Sequence, residues 1–169
     1  YLILALLSGV IGGLIISIMP RIKNKMRNII VLFFCSSGTF FSWQVALSVF
    51  SGKTVRISGK LAGFSWSFGP DVLGAVFALI ASSLWIFATI YSFGYMDRKH
   101  EQSTYYTFFL LSFSVTLGVA FSSNLVVLYL FYELLTFVTY PLVIHQRTPE
   151  AIRAGSKYIL YSISGAGAI

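Results

Sequence analysis

Apolar residues fall into six runs, at about 2–19, 28–50, 72–95, 105–121, 125–145 and 149–169, and polar residues crowd into the short stretches between them. Crossing a hydrocarbon layer of ~30 Å takes ~20 helical residues, so runs of this length predict membrane-spanning helices. The pattern predicts an all-α integral membrane fold of five transmembrane helices plus the start of a sixth, in a single membrane domain over residues 1–169. One stretch breaks the pattern. In residues 51–70 apolar and polar positions alternate through TVRIS and LAGFSWSF, with Ser58 and Gly59 between them. That alternation predicts a short β-hairpin on the membrane surface between helices 2 and 3.

Local signals sharpen the boundaries. Pro20 ends the first run, and Gly9 and Gly13 form a GxxxG pair that lets a neighbouring helix approach closely. RIKNKMR follows as a basic connection. Ser36, Ser37, Gly38 and Thr39 make a small polar patch inside the second run, of the kind that bonds to its own helix or to another. Pro70 and Asp71 open the third, with Asp71 where the helix dipole favours a negative charge, and Tyr91, Phe93 and Tyr95 close it as an aromatic belt. Ser122, Ser123 and Asn124 predict a tight turn in which Asn124 caps the fifth helix; Thr148 and Pro149 mark the start of the sixth.

Composition confirms the class and removes others. The chain is 57% apolar and only 10% charged, with a mean hydropathy of +0.82, against about one-quarter charged residues in a soluble domain. The net charge of +7 raises nucleic acid as a partner, but the basic residues sit in short loops between apolar runs, where they set orientation. The first, third and fifth loops hold Arg21, Lys23, Lys25, Arg27, Arg98, Lys99, Arg147 and Arg153; the second and fourth hold only Lys53, Arg56 and Lys60. The odd loops are therefore expected in the cytoplasm and the N-terminus outside. Cys35 is the only cysteine and lies in an apolar run, and the two histidines are His100 and His145, so no haem, zinc or iron–sulfur ligand set is expected. No cofactor is expected, and redox chemistry would belong to a partner. Tyr1 opens directly into an apolar run and ISGAGAI stops inside another, so the chain reads as a piece of a longer polypeptide.

The candidate chemistry lies in the fifth run. Glu133 is nine residues after Asn124, which at a helical rise of ~1.5 Å places its carboxylate ~13 Å below the surface. An acid at the centre of a membrane helix costs ~3 kcal/mol on insertion scales, so it is protonated, paired or hydrated. Such a group is either a hydrogen-bonding tie between helices or a proton-exchanging site. Pro141, eight residues on, leaves the Phe137 carbonyl without its helical donor and so favours local hydration. Arg153 and Lys157 share a face of the sixth helix; Arg153 reaches the headgroups, whereas Lys157, ~12 Å along from Pro149, is a candidate partner for Glu133.

The stretch NLVVLYLFYELLTFVTYPLVIH, followed by TPEAIRAGSKYILYSISG, resembles the antiporter-like membrane subunits shared by respiratory complex I, multisubunit sodium/proton antiporters and membrane-bound hydrogenases. The matching features are the Asn-Leu opening, Glu133, the Tyr-Pro-Leu break, His145 and Lys157-Tyr158. The third run, from Pro-Asp-Val-Leu to YSFGYM, fits as well. The resemblance implies a proton-translocating subunit in which the Glu133 position belongs to the proton pathway, with Lys157 and His145 as further pathway residues. It also implies a lysine partner on a seventh helix and a second, inverted repeat, neither of which is in this sequence. Implied partners are the other membrane subunits of the complex, the lipid bilayer and peripheral redox subunits, with no nucleic acid; the implied location is a prokaryotic plasma membrane. Coupling would be to redox chemistry or sodium exchange elsewhere in the complex. Two alternatives stand beside this reading: a non-transporting structural subunit that docks partners, and a membrane oxidoreductase in its own right, against which the missing metal-ligand cluster argues.

Overall fold

The computed structural model describes residues 1–61, 64–97, 101–145 and 148–167. Among them the elements are α1 (Leu2–Ile18), α2 (Asn24–Phe50), β1 (Ile57–Leu61), β2 (Phe64–Phe68), α3 (Val72–Met96), α4 (Gln102–Ala120), α5 (Leu125–Val143) and α6 (Pro149–Gly167). The helices α2 to α5 are each long and apolar enough to cross a bilayer, and α1, with 17 residues, is the shorter apolar helix beside them. This is an all-α integral membrane fold with one antiparallel hairpin between α2 and α3.

The packing centre is α4, the least hydropathic of the four long spans. In its membrane stretch 61% of the residues are buried, against 22% in α3 and 17% in α5. Four neighbours close on it, three of them through glycine. Gly9 of α1 faces the Leu110 carbonyl and Ser114, and Gly13 faces the Thr107 carbonyl, so the GxxxG pair brings α1 onto the backbone of α4. Gly38 of α2 lies under the Phe113 ring, and Gly118 of α4 receives Phe131 of α5. From α3, Trp85 packs its ring 5.6 Å from Phe109 and 5.7 Å from Phe113. Thr39 ties α2 to α3, donating to the Ser82 carbonyl at 3.1 Å as well as back to Cys35 O at 2.9 Å. Cys35 is buried and accepts from Thr89 Oγ1 at 3.3 Å.

Connections alternate between two ends of the bundle. At one end Ser103 donates to Pro20 O at 3.0 Å, and the guanidinium of Arg27 donates to Gln102 Oε1. At the other end the hairpin is stitched to the α4–α5 turn. Gly69 N donates to Phe121 O at 2.8 Å, Ser123 N to Ser67 O at 3.1 Å, and Asn124 Nδ2 to Ser65 O at 2.8 Å. The hydroxyls of Ser67 and Ser123 lie 2.6 Å apart, and Arg56 Nε donates to Ser67 Oγ at 3.1 Å.

Several boundaries differ from the sequence expectation. The hairpin does not turn at Ser58 and Gly59: both lie inside β1, paired with Ser67 and Trp66. Gly59 is there because the Trp66 indole covers it, where a methyl group would collide. The turn itself falls on residues 62 and 63, outside the described residues. The basic run RIKNKMR is not all connection, since α2 begins at Asn24. Arg27 is helical and only 4% exposed, its guanidinium carbon 5.3 Å from the centre of the Tyr106 ring; aromatic contact and a hydrogen bond let a charge sit inside. Likewise α4 starts at Gln102, three residues earlier than its apolar run. Asp71 is the N-cap of α3 and accepts from Gly74 N at 2.7 Å. Of the residues behind the orientation count, Arg98, Lys99 and Arg147 lie outside the described residues, as does His100.

Candidate functional site

Asn124 starts α5, its Oδ1 accepting from Val127 N at 2.9 Å. Glu133 follows in the middle of this 19-residue helix, half-buried. Its Oε1 atom is buried without a hydrogen-bond partner among the described residues. Burying a charged oxygen without a bond is costly, and buried polar atoms are rarely left so. Tyr129, one turn earlier, is close enough to interact with the carboxylate by charge and hydrogen bond. The Tyr129 side of α5 is open: Leu125, Tyr129 and Tyr132 are exposed, while Val127 and Thr136 are buried.

The sixth helix packs along α5. Thr148 caps it, accepting from Ala151 N at 3.1 Å. Gly155 takes the side chains of Tyr140 and Ile144. Thr139 Oγ1 lies 2.8 Å from the Tyr158 hydroxyl, and Thr136 Oγ1 lies 2.6 Å from Ser162 Oγ. These two pairs set the register of the antiparallel helices. They place Lys157 level with Tyr140, seven residues and ~10 Å along α5 from Glu133. Lys157 is exposed, as is Arg153. Glu133 and Lys157 thus sit on neighbouring helices two turns apart. His145 follows α5 in the turn at the end of the bundle that carries Arg27 and Gln102, its ring 5.5 Å from Tyr105 and nearly perpendicular to it at 66°.

Sequence reasoning passed over Tyr129, Thr136, Thr139 and Ser162, and named Tyr158 only beside Lys157, without a role. A signal was present: 136 and 139 are one turn apart on α5, and 158 and 162 one turn apart on α6. Hydroxyls in membrane helices are common, however, and only the register shows which of them meet. Among the described residues no group of three or more His, Cys, Asp or Glu side chains converges as a metal site.

No family model matches the chain. It is 31% identical over 104 residues, 61% of its length, to Na(+)/H(+) antiporter subunit A1 of Staphylococcus aureus strain bovine RF122 / ET3-1. The same subunit in strain JH9 matches to the same extent. The match spans 13% of the length of these relatives. Among solved structures, the chain superposes with a TM-score of 0.82 and 25% identity on a chain of the membrane-bound sulfane sulfur reductase, an archaeal respiratory membrane complex. That superposition covers 98% of this chain and 26% of the other. Over 61% of its length the chain is similar in sequence to an antiporter subunit, and over 98% it is similar in fold to a chain of a respiratory membrane complex; together these support an antiporter-like, complex I-family subunit.

Proposed function

We propose that the chain is a proton-translocating portion of a multisubunit membrane complex in which Glu133 loads and releases a proton near the bilayer midplane. The observation that carries this reading is the Glu133 Oε1 atom, buried in mid-helix with no hydrogen-bond partner. An ionisable group inside a membrane marks an ion or proton path unless it is tied up as structural glue, and among the described residues no other helix bonds this oxygen. A carboxylate gives up its proton when a cation approaches and regains it when the cation withdraws, so it acts as a switch if a nearby charge moves. Lys157, two turns away, is too far to neutralise Glu133 directly and serves as the next charge along the path, with His145 at the end of the bundle. The closer cation is then an off-chain lysine of the same complex, and coupling runs electrostatically from one ionisable group to the next.

The rest of the proposal concerns the setting. Other membrane subunits of one complex cover the exposed side of α5, and peripheral redox subunits or sodium exchange drive the proton movement. The complex sits in a prokaryotic plasma membrane, with the end that bears Arg27 and His145 in the cytoplasm and the N-terminus outside.

The test is proton uptake by membrane vesicles carrying the full assembly, wild type against Glu133→Gln. Loss of uptake with assembly intact is the expected result. Undiminished transport by the variant sinks the proposal and makes the chain a structural subunit.

A further inference from the structure

The seam between α5 and α6 carries two hydroxyl pairs stacked one above the other. Thr136 and Ser162 lie 2.6 Å apart, and Thr139 and Tyr158 lie 2.8 Å apart one turn further on. In each pair either oxygen can act as donor. The stack starts one turn from Glu133 and runs toward the end of the bundle where His145 lies. Thr136 is 3% exposed and Ser162 half-buried.

The spacing suits a relay. From Glu133 to Thr136, and from Thr136 to Thr139, the helix rises ~4.5 Å, a gap that one bridging water spans. Between Thr136 and Thr139 comes Phe137, whose carbonyl Pro141 leaves without a helical donor and which offers an anchor for such a water. A hydroxyl donates one proton and accepts others, so a line of hydroxyls passes a proton on as each oxygen takes one and releases its own. At rest Thr139 gives its proton to Leu135 O at 2.7 Å and so accepts from Tyr158. Swinging that hydroxyl from the carbonyl to Tyr158 reverses the pair.

We propose that the Thr136–Ser162 and Thr139–Tyr158 pairs, joined by water, are the proton route between Glu133 and the His145 end of the bundle. This rests on the reading of Glu133 as a proton-exchanging group. A proton enters from water at the His145 end, each hydroxyl gains one and loses one, and the Glu133 carboxylate ends protonated. Release runs the same steps backward, and the hydroxyls are unchanged after either.

The experiment uses the full assembly in vesicles, comparing wild type, Glu133→Gln, Tyr158→Phe, Thr139→Val and Thr139→Ser. Two quantities are read: proton uptake, and the rate at which the infrared band of a protonated carboxyl, absent in Glu133→Gln, appears after a pH jump. Tyr158→Phe and Thr139→Val are expected to slow both by about tenfold, the effect on a rate of losing one hydrogen-bonded link. Thr139→Ser, which keeps the hydroxyl, is expected to hold the wild-type rate. Unchanged rates in Tyr158→Phe and Thr139→Val, with Glu133→Gln inactive, overturn the route and leave the Glu133 reading standing. A Thr139→Ser variant as slow as the valine variant also overturns it, because side-chain packing and not the hydroxyl would then matter. Transport undiminished in Glu133→Gln removes the reading beneath. If the valine variant fails to assemble, wild type decides: a carboxyl protonation rate equal in H2O and D2O rules out the relay.

Discussion

Adding a single methyl group at Gly9 should push α1 and α4 apart. A Cβ there meets the Leu110 carbonyl oxygen and Ser114 Oγ at separations that real methyl groups do not adopt. The first obstacle is helix backbone, which has no rotamer to swing away, so α1 must lift off α4. Lifting it by 0.5–1 Å forfeits roughly a quarter to a half of the dispersion energy of each contact it stretches. The strained face includes Ala5, Gly13 and Ile16, all buried. Overpacking of this kind costs about 1–3 kcal/mol, and an unyielding neighbour points to the upper end. Alanine returns about 1 kcal/mol through its better helix propensity, which leaves Gly9→Ala less stable by about 2 kcal/mol. Gly94 of α3 supplies the control, because among the described residues a Cβ at that position meets nothing within 4 Å. Gly94→Ala should therefore show only the propensity gain, from zero to about 1 kcal/mol. Helix content during detergent titration of the assembled protein measures both variants. Equal stability of the two would refute the reading of Gly9 as the α1–α4 contact.

Other perturbations follow from the same contacts. Arg27→Met removes the hydrogen bond to Gln102 and the charge over Tyr106 and should destabilise by about 2–3 kcal/mol in thermal melts. Arg27→Lys should recover little of this, because an ammonium group lacks the planar face that stacks. Asn124→Ala loses the cap on Val127 N and the bond to Ser65 O, a cost of about 1–2 kcal/mol. It should also loosen the hairpin from the α4–α5 turn, seen as faster proteolysis between Lys53 and Gly69 in the assembled complex.

The membrane helices were legible because lipid selects for long apolar runs, and α2, α3 and α5 carry that signature plainly. The central place of α4 was not. Its surroundings are other helices, and close helix contact favours small and hydroxylated side chains over the most hydrophobic ones. Ser112, Ser114, Thr116 and Gly118 lower its hydropathy for the same reason that they bury it. Arg27 misled in the opposite direction. A charge in a basic run reads as loop, and nothing local announces that Tyr106 and Gln102, some 80 residues on, will enclose it. Gly59 read as turn because glycine usually punctuates; its neighbour across the strand, Trp66, supplied another reason. At the site, Glu133 stood out from the sequence by its cost alone. The hydroxyls around it did not, since their meaning depends on which residue of α6 faces which residue of α5.

Where Glu133 stands also bears on how it can work. It is not in the core around α4, where close packing fixes every neighbour and leaves no room for a charge to come and go. It lies at the edge of that core, on a helix anchored to α4 by Phe131 in the Gly118 notch and exposed along its Tyr129 side. A group whose charge state must change in each cycle needs one fixed side and one variable side. On the proposed reading the fixed side is α4, which anchors the helix, and the α6 hydroxyls, which carry the connection to water. The variable side is the exposed face of α5, where a cation on a neighbouring element can approach and withdraw. A structural tie between helices would take the opposite placement, with both carboxylate oxygens engaged inside the bundle, so undiminished transport by Glu133→Gln would favour it.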